Sequence, residues 1–139
     1  MTPPPFVHLH VHSSYSPMRG VSSLDELCAA TQRQGLFCLA LTDTNGLYGA
    51  IRFIDHALQR GLRPILGAEL RIAGRRAVLL VKTLEGYANL CRLLSERHDD
   101  RPFDFLSAVA RHRQGLIVFT DDEPALSAWG AESTRDLFV

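Results

Sequence analysis

The sequence predicts an α/β domain on a mostly parallel sheet, from three observations. Short apolar runs alternate with helical patterns, two runs are apolar without interruption, and polar residues gather where the runs end. The 139 residues are 46% hydrophobic and 22% charged, which suits a single domain over 1–139 and leaves no room for a second core of useful size.

Each element has its own signal. Phe6 to Val11 is short, alternates with histidines and follows Pro3, Pro4 and Pro5, whose rings cannot donate to a sheet, so it reads as an opening strand. Ser22 or Ser23 caps a helix, with Glu26 three residues after Ser23 as in a capping box. Leu24, Leu27, Cys28 and Thr31 then recur at helical spacing up to Gly35. Phe37 to Leu41 is apolar throughout and ends in Thr42-Asp43-Thr44-Asn45-Gly46, the pattern of a parallel strand buried on both faces. Ala50, Ile51, Ile54, Ala57 and Leu58 form the stripe of a second helix that stops at Gly61.

Pro64 to Leu70 is a third strand. The gap to the apolar run Ala77 to Val81 is too short for a crossover helix, so the two form a hairpin turning near Ala73-Gly74. Tyr87, Leu90, Cys91 and Leu94 mark a third helix, Phe105 to Ala110 a fourth, Leu116 to Phe119 a further strand, and Pro124 opens a last short helix. A closed eight-fold barrel takes about 250 residues, so a barrel built from this chain is incomplete.

Charge and cysteine usage exclude several functions. Fifteen Lys and Arg balance fifteen Asp and Glu, which removes the electrostatic basis for non-specific binding to nucleic acid or acidic membranes. The basic groups Arg71, Arg75, Arg76 and Arg111, Arg113 read as solvated turns. Three cysteines, Cys28, Cys38 and Cys91, lie far apart in apolar patterns and read as reduced thiols of a cytoplasmic protein. No segment has the basic flank and apolar run of a leader, nor the 18 or so apolar residues of a membrane span.

Ligands collect at the C-terminal ends of parallel strands, which directs attention to His10 and His12, Asp43 and Glu69. Two residues apart on a strand, His10 and His12 face one side and can converge on one ion; His8 shares that face. Imidazole and carboxylate together suit Zn, Mn or Fe, while hydrogen bonding within a core serves a lone His-x-His equally. Asp43 is a candidate catalytic carboxylate, or a turn residue satisfying local N–H groups. Glu69 lies in a strand that reads as buried, where an ionised carboxylate needs a cation or an arginine.

Four motifs carry a resemblance: Phe6-Val7-His8-Leu9-His10-Val11-His12-Ser13-Ser14-Tyr15-Ser16; Leu41-Thr42-Asp43 with Gly46-Leu47-Tyr48-Gly49-Ala50; Pro64-Ile65-Leu66-Gly67-Ala68-Glu69; and Leu79-Leu80-Val81-Lys82 with Glu85-Gly86-Tyr87. In this order the chain resembles the PHP (polymerase and histidinol phosphatase) domain, more closely that at the N-terminus of bacterial DNA polymerase III alpha subunits and error-prone C-family polymerases. The resemblance implies the N-terminal part of a distorted (β/α)7 barrel, with divalent metals at the strand ends that activate water for phosphoester hydrolysis. It makes His10, His12 and Glu69 metal ligands.

The chain also departs from that pattern. Arg19 stands where the family has an acid, Thr44 where it has a histidine, and Arg76 where another histidine is expected. A guanidinium in place of an anionic ligand repels a cation. Arg19 could instead pair with Glu69 or Asp43, replacing metal charge by a salt bridge.

The resulting expectation is a PHP-like unit that is non-catalytic or weakly metal-binding. It would support DNA replication or translesion synthesis beside a polymerase remainder or replication proteins, meeting DNA only indirectly. The alternative is a metal-dependent phosphoesterase, either a 3′–5′ exonuclease or a small-molecule phosphatase. A third expectation is a homo-oligomer that covers the unfinished edges of the sheet.

Overall fold

In the computed structural model, which describes residues 6–139, the chain runs α1 (Leu24–Arg33), β1 (Cys38–Leu41), α2 (Ala50–Gln59), β2 (Arg63–Ile72), β3 (Arg75–Val81), α3 (Leu84–His98), α4 (Phe105–His112), β4 (Leu116–Phe119), α5 (Glu123–Glu132) and β5 (Leu137–Phe138). The five strands lie side by side in chain order, as they do around a barrel wall. β1 is parallel to β2 and β4 to β5, while β3 is antiparallel to both its neighbours. Four strands therefore share one direction and β3 alone opposes it. The tight β2–β3 hairpin causes this reversal: Ala73 and Gly74 both adopt positive φ, 48° and 80°, the backbone of a two-residue turn that matches strand twist.

The proline run Pro3 to Pro5 lies outside the described residues, and the strand expected at Phe6 to Val11 does not form. One parallel bridge joins His8 to Leu39, with Ala40 N–H donating to His8 O at 3.0 Å. Thr42 N–H then donates to Val11 O at 2.9 Å, so the offset between the segments slips from 32 residues to 31. The Val11 N–H left without a carbonyl donates to Thr42 Oγ1 at 2.8 Å. The slip breaks the ladder while keeping the segment beside β1.

Helix α1 is capped as its sequence dictates, Ser23 and Glu26 bonding each other's backbone N–H groups. In α2 the expected stripe is rotated. Ala50, Phe53 and Ala57 face the core, while Ile51 and Leu58 are 78% and 61% exposed, because the phenylalanine carries more apolar area than either. The buried line of α3 is likewise Gly86, Asn89, Leu90, Leu93 and Leu94, with Tyr87 outside.

Side chains alternate across the sheet. Ala77 and Leu79 of β3 join Leu70, Leu90, Leu93, Val109, Val118 and Trp129 beneath the later helices. Val78 and Leu80 turn the other way, with Ala40. β1 is buried throughout, and its Leu39 and Leu41 pack on Phe53 and Ala57 of α2. No helix among the described residues is long and apolar enough to cross a membrane, and all three cysteines are free.

β2 pairs with β1 through Leu66 and with β3 from Gly67 onward. A Cβ on Gly67 would lie 2.4 Å from Leu79 O and 3.1 Å from Thr42 Cγ2. Gly67→Ala is therefore expected to destabilise the chain by about 1–3 kcal/mol. Gly130→Ala in α5 meets only Leu137 Cδ2 at 4.0 Å and is expected to stabilise it by up to about 1 kcal/mol. Urea unfolding of the two variants checks both signs; a Gly67→Ala chain as stable as wild type would contradict the close approach.

Candidate metal centre

Glu69 sits in the middle of the sheet, 1% exposed. Its backbone pairs with Val78 of β3 on one side. On the other, Glu69 N–H donates to Asp43 O at 3.0 Å and Asn45 N–H to Glu69 O at 2.8 Å. The β1–β2 pairing thus outlasts β1 itself. Glu69 projects from the face that carries Val78, its directly opposed residue.

Onto that carboxylate the extended His segment folds two imidazoles. His10 Nε2 lies 3.7 Å from Glu69 Oε1 and His12 Nε2 3.2 Å from Oε2. One donor atom from each of the three residues falls within 4.8 Å of the other two. His8, expected to share their face, turns away against Phe6 and takes no part in the group.

The donor set fits a single divalent ion. A tetrahedral ion with bonds of about 2.0–2.2 Å spaces its ligand atoms by about 3.4 Å, and the two nitrogen–oxygen separations straddle that value. Two imidazoles and a carboxylate form the mixed N/O set of an open, three-ligand site. Burial holds the His10 imidazole below its ordinary value; the Glu69 carboxylate works against this, and His12, Arg76 and Arg71 add to it. The lowered value favours the neutral ring a metal requires.

Asp43, expected as a catalytic carboxylate, lies outside this converging group. It is 2% exposed and accepts three hydrogen bonds: Ser13 N–H on Oδ1 at 2.7 Å, Ser13 Oγ on Oδ2 at 2.7 Å, and Ser16 Oγ on Oδ1 at 2.6 Å. It ties down the loop that follows the histidines.

The guanidinium that reaches Glu69 belongs to Arg71, not Arg19. Arg71 Nε lies 3.6 Å from Oε1, whereas Arg19 is exposed on the loop. Arg76 forms a two-pronged contact with Asp121, its Nε 3.1 Å from Oδ1, and its guanidinium holds the Asp121 carboxyl below the usual carboxylate range. His10, Arg76, Val78, Phe119, Thr120 and Asp121 border a cleft of about 170 Å³. Arg71 and Arg76 lie on β2 and β3 rather than in a turn; Arg71 is drawn in to Glu69, while Arg76 keeps the solvated character its sequence suggests. Arg71 is two residues past Glu69 and shares its face, a signal the alternation of β2 already contained. A larger cleft, about 490 Å³ around Lys82, Arg113 and Gly115, lies at the other end of β4, where Lys82 is paired with Asp136 at 2.9 Å.

A family model described as the PHP domain matches residues 8–131. An error-prone DNA polymerase of Symbiobacterium thermophilum is 48% identical over 94 residues, covering 67% of this chain and 9% of that protein. A DNA polymerase III subunit alpha of Pasteurella multocida is 33% identical over 131 residues, covering 86% of this chain and 11% of that protein. The chain thus spans about a tenth of the length of these curated relatives. Among solved structures, an amidohydrolase from Chromobacterium violaceum superposes with a TM-score of 0.51 at 22% identity, over 64% of this chain and 32% of that one. A candidate metal-dependent phosphoesterase from Bifidobacterium adolescentis gives 0.50 at 17% identity, over 93% and 52%. At these identities the likeness shows the fold alone.

Two outcomes follow from the site's hydrogen bonding and burial. Asp43→Ala strands three donors and is expected to cost about 3 kcal/mol or more by urea unfolding; a loss below 1 kcal/mol would mean the loop is held by other means. The lowered His10 value means that the folded chain binds this proton less readily than the unfolded chain. Its contribution is therefore complete above the ordinary 6.5 and is lost as pH falls below it. Unfolding at a series of pH values should show His10→Gln with a shallower acid slope than wild type.

Proposed function

Since the chain belongs to the PHP domain family, we propose that it is a non-catalytic, weakly metal-binding PHP unit of a bacterial replicative or error-prone DNA polymerase, supporting DNA replication or translesion synthesis. Its relatives' names support the setting, and its meeting with DNA is indirect, through the rest of such a polymerase or its replication partners. One observation carries the non-catalytic reading: of the three converging donors His10, His12 and Glu69, Glu69 already has Arg71 beside it, and His10 shares its cleft with Arg76, itself paired with Asp121. Guanidinium groups there oppose the gathering of several cations that would clamp a phosphate and activate water between them. The site takes one ion, Zn, Mn or Fe, through two imidazoles and one carboxylate, and Asp43 serves as an anchor for the loop rather than as a reacting group.

A second reading is favoured by the same guanidiniums seen differently. A three-ligand ion keeps an open position for water or substrate, and arginines beside it suit phosphate oxygens. On that reading the chain is a metal-dependent phosphoesterase, a 3′–5′ exonuclease or a small-molecule phosphatase.

Metal content by plasma mass spectrometry and Zn2+ or Mn2+ titration separate the readings. The expected result is no more than one ion per chain, lost in the His10→Ala/His12→Ala variant. Hydrolysis of bis(p-nitrophenyl) phosphate and of single-stranded DNA should stay at the level of that variant. A metal-stimulated rate abolished by the double substitution would instead establish the phosphoesterase. Removing the competing charge in Arg71→Gln should tighten Zn2+ binding about tenfold; unchanged affinity would show that Arg71 does not oppose the ion.

A further inference from the structure

A hydroxyl has one proton to give and two lone pairs to receive, and Ser16 Oγ has three polar neighbours. It lies 2.6 Å from Asp43 Oδ1, 2.9 Å from Thr44 N and 2.9 Å from His12 Nδ1. The Asp43 carboxylate has only lone pairs to offer and already accepts both donors of Ser13, so the Ser16 proton points to it. Thr44 N–H can only donate. The lone pair of Ser16 that remains faces His12 Nδ1, which must then be the donor. The other hydroxyl near this nitrogen, Thr44 Oγ1 at 3.5 Å, directs its own proton to Glu69 Oε2 at 3.3 Å. Both hydroxyls around Nδ1 thus present lone pairs to it. Ser13 and Ser16 are fully buried and Asp43 nearly so, so water does not relax this order.

We propose that Ser16, anchored by Asp43, is the positioning residue of the metal centre. It holds the His12 proton on Nδ1 and turns the Nε2 lone pair toward Glu69 Oε2, 3.2 Å away. The inference rests on the metal-binding reading above and assigns part of that site's geometry to a residue that does not touch the ion. A histidine free to choose its tautomer would place a proton on Nε2 against Glu69 and close the position to a metal. Losing such an outer partner typically costs 10–100-fold in metal affinity.

The test reads the proton directly. In 15N-labelled chain above the ordinary histidine range, long-range 1H–15N spectra, assigned with His12→Ala, should show Nδ1 protonated both without metal and with Zn2+ bound. Ser16→Ala should populate the other tautomer and lower Zn2+ affinity 10–100-fold, and Ser16→Thr, which keeps the hydroxyl, should recover most of both. An unprotonated Nδ1 in the wild-type chain, or wild-type affinity in Ser16→Ala, overturns the proposal. If Ser16→Ala does not fold, the wild-type spectrum alone decides. Zn2+ titration of the wild-type chain separately decides the metal reading: no uptake there overturns that reading, whatever the His12 spectrum shows.

Discussion

A carboxylate buried in the centre of a β-sheet is the constraint around which this protein is arranged. Glu69 is 1% exposed and flanked by backbone on both sides, so its charge must be met by groups brought to it. An uncompensated buried anion costs several kcal/mol. The surrounding structure meets it two ways, with the hydroxyl of Thr44 just past β1 and the guanidinium of Arg71 from β2 itself, while two imidazoles from the segment before α1 close over it. The sheet's most apolar strands therefore frame its most polar point.

Holding the imidazoles there requires order in a segment that is not a strand. The one-residue slip beside β1 leaves His10 and His12 without a regular ladder. Their place is fixed instead by a second buried carboxylate, Asp43, through Ser13 and Ser16. The two acids divide the labour: Glu69 is the group the site is built on, and Asp43 is the group that builds it. Loss of one would empty the site, while loss of the other would misplace it.

The helices and strands that obey local rules were legible in the sequence. The capping box of α1, the buried run of β1, the hairpin at Ala73-Gly74 and the Pro124 start of α5 follow from spacing and backbone preference alone. The convergence of His10, His12 and Glu69 followed from strand ends and motif order. The rest depended on competition that local patterns do not contain. The spacing put Ile51 in the buried stripe and left Phe53 out, whereas tertiary packing buries Phe53 and leaves Ile51 exposed. The opening strand failed because the Thr42 side chain replaced a backbone acceptor. β5 is only two residues long and formed by pairing with β4, with no periodicity of its own. Ser13 and Ser16 were visible only as polar residues after the histidines, and nothing in their spacing distinguished a buried anchor from a solvated loop.

Arg71 sets the charge balance at the centre of the site. A metal ion and a guanidinium are alternative counter-charges for Glu69, and each weakens the case for the other. The ion brings two charges and short bonds but must be captured from solution at the expense of its hydration. The arginine brings one charge at 3.6 Å, covalently attached and always protonated. Arg71 gives Glu69 a counter-charge from within the chain, and the His12 imidazole is held by Ser16 whether or not an ion is bound. The same arginine lowers the gain from each cation brought to Glu69. A chain that carries a counter-charge for its buried anion within its own sequence has a charge balance at Glu69 that an incoming ion must compete with.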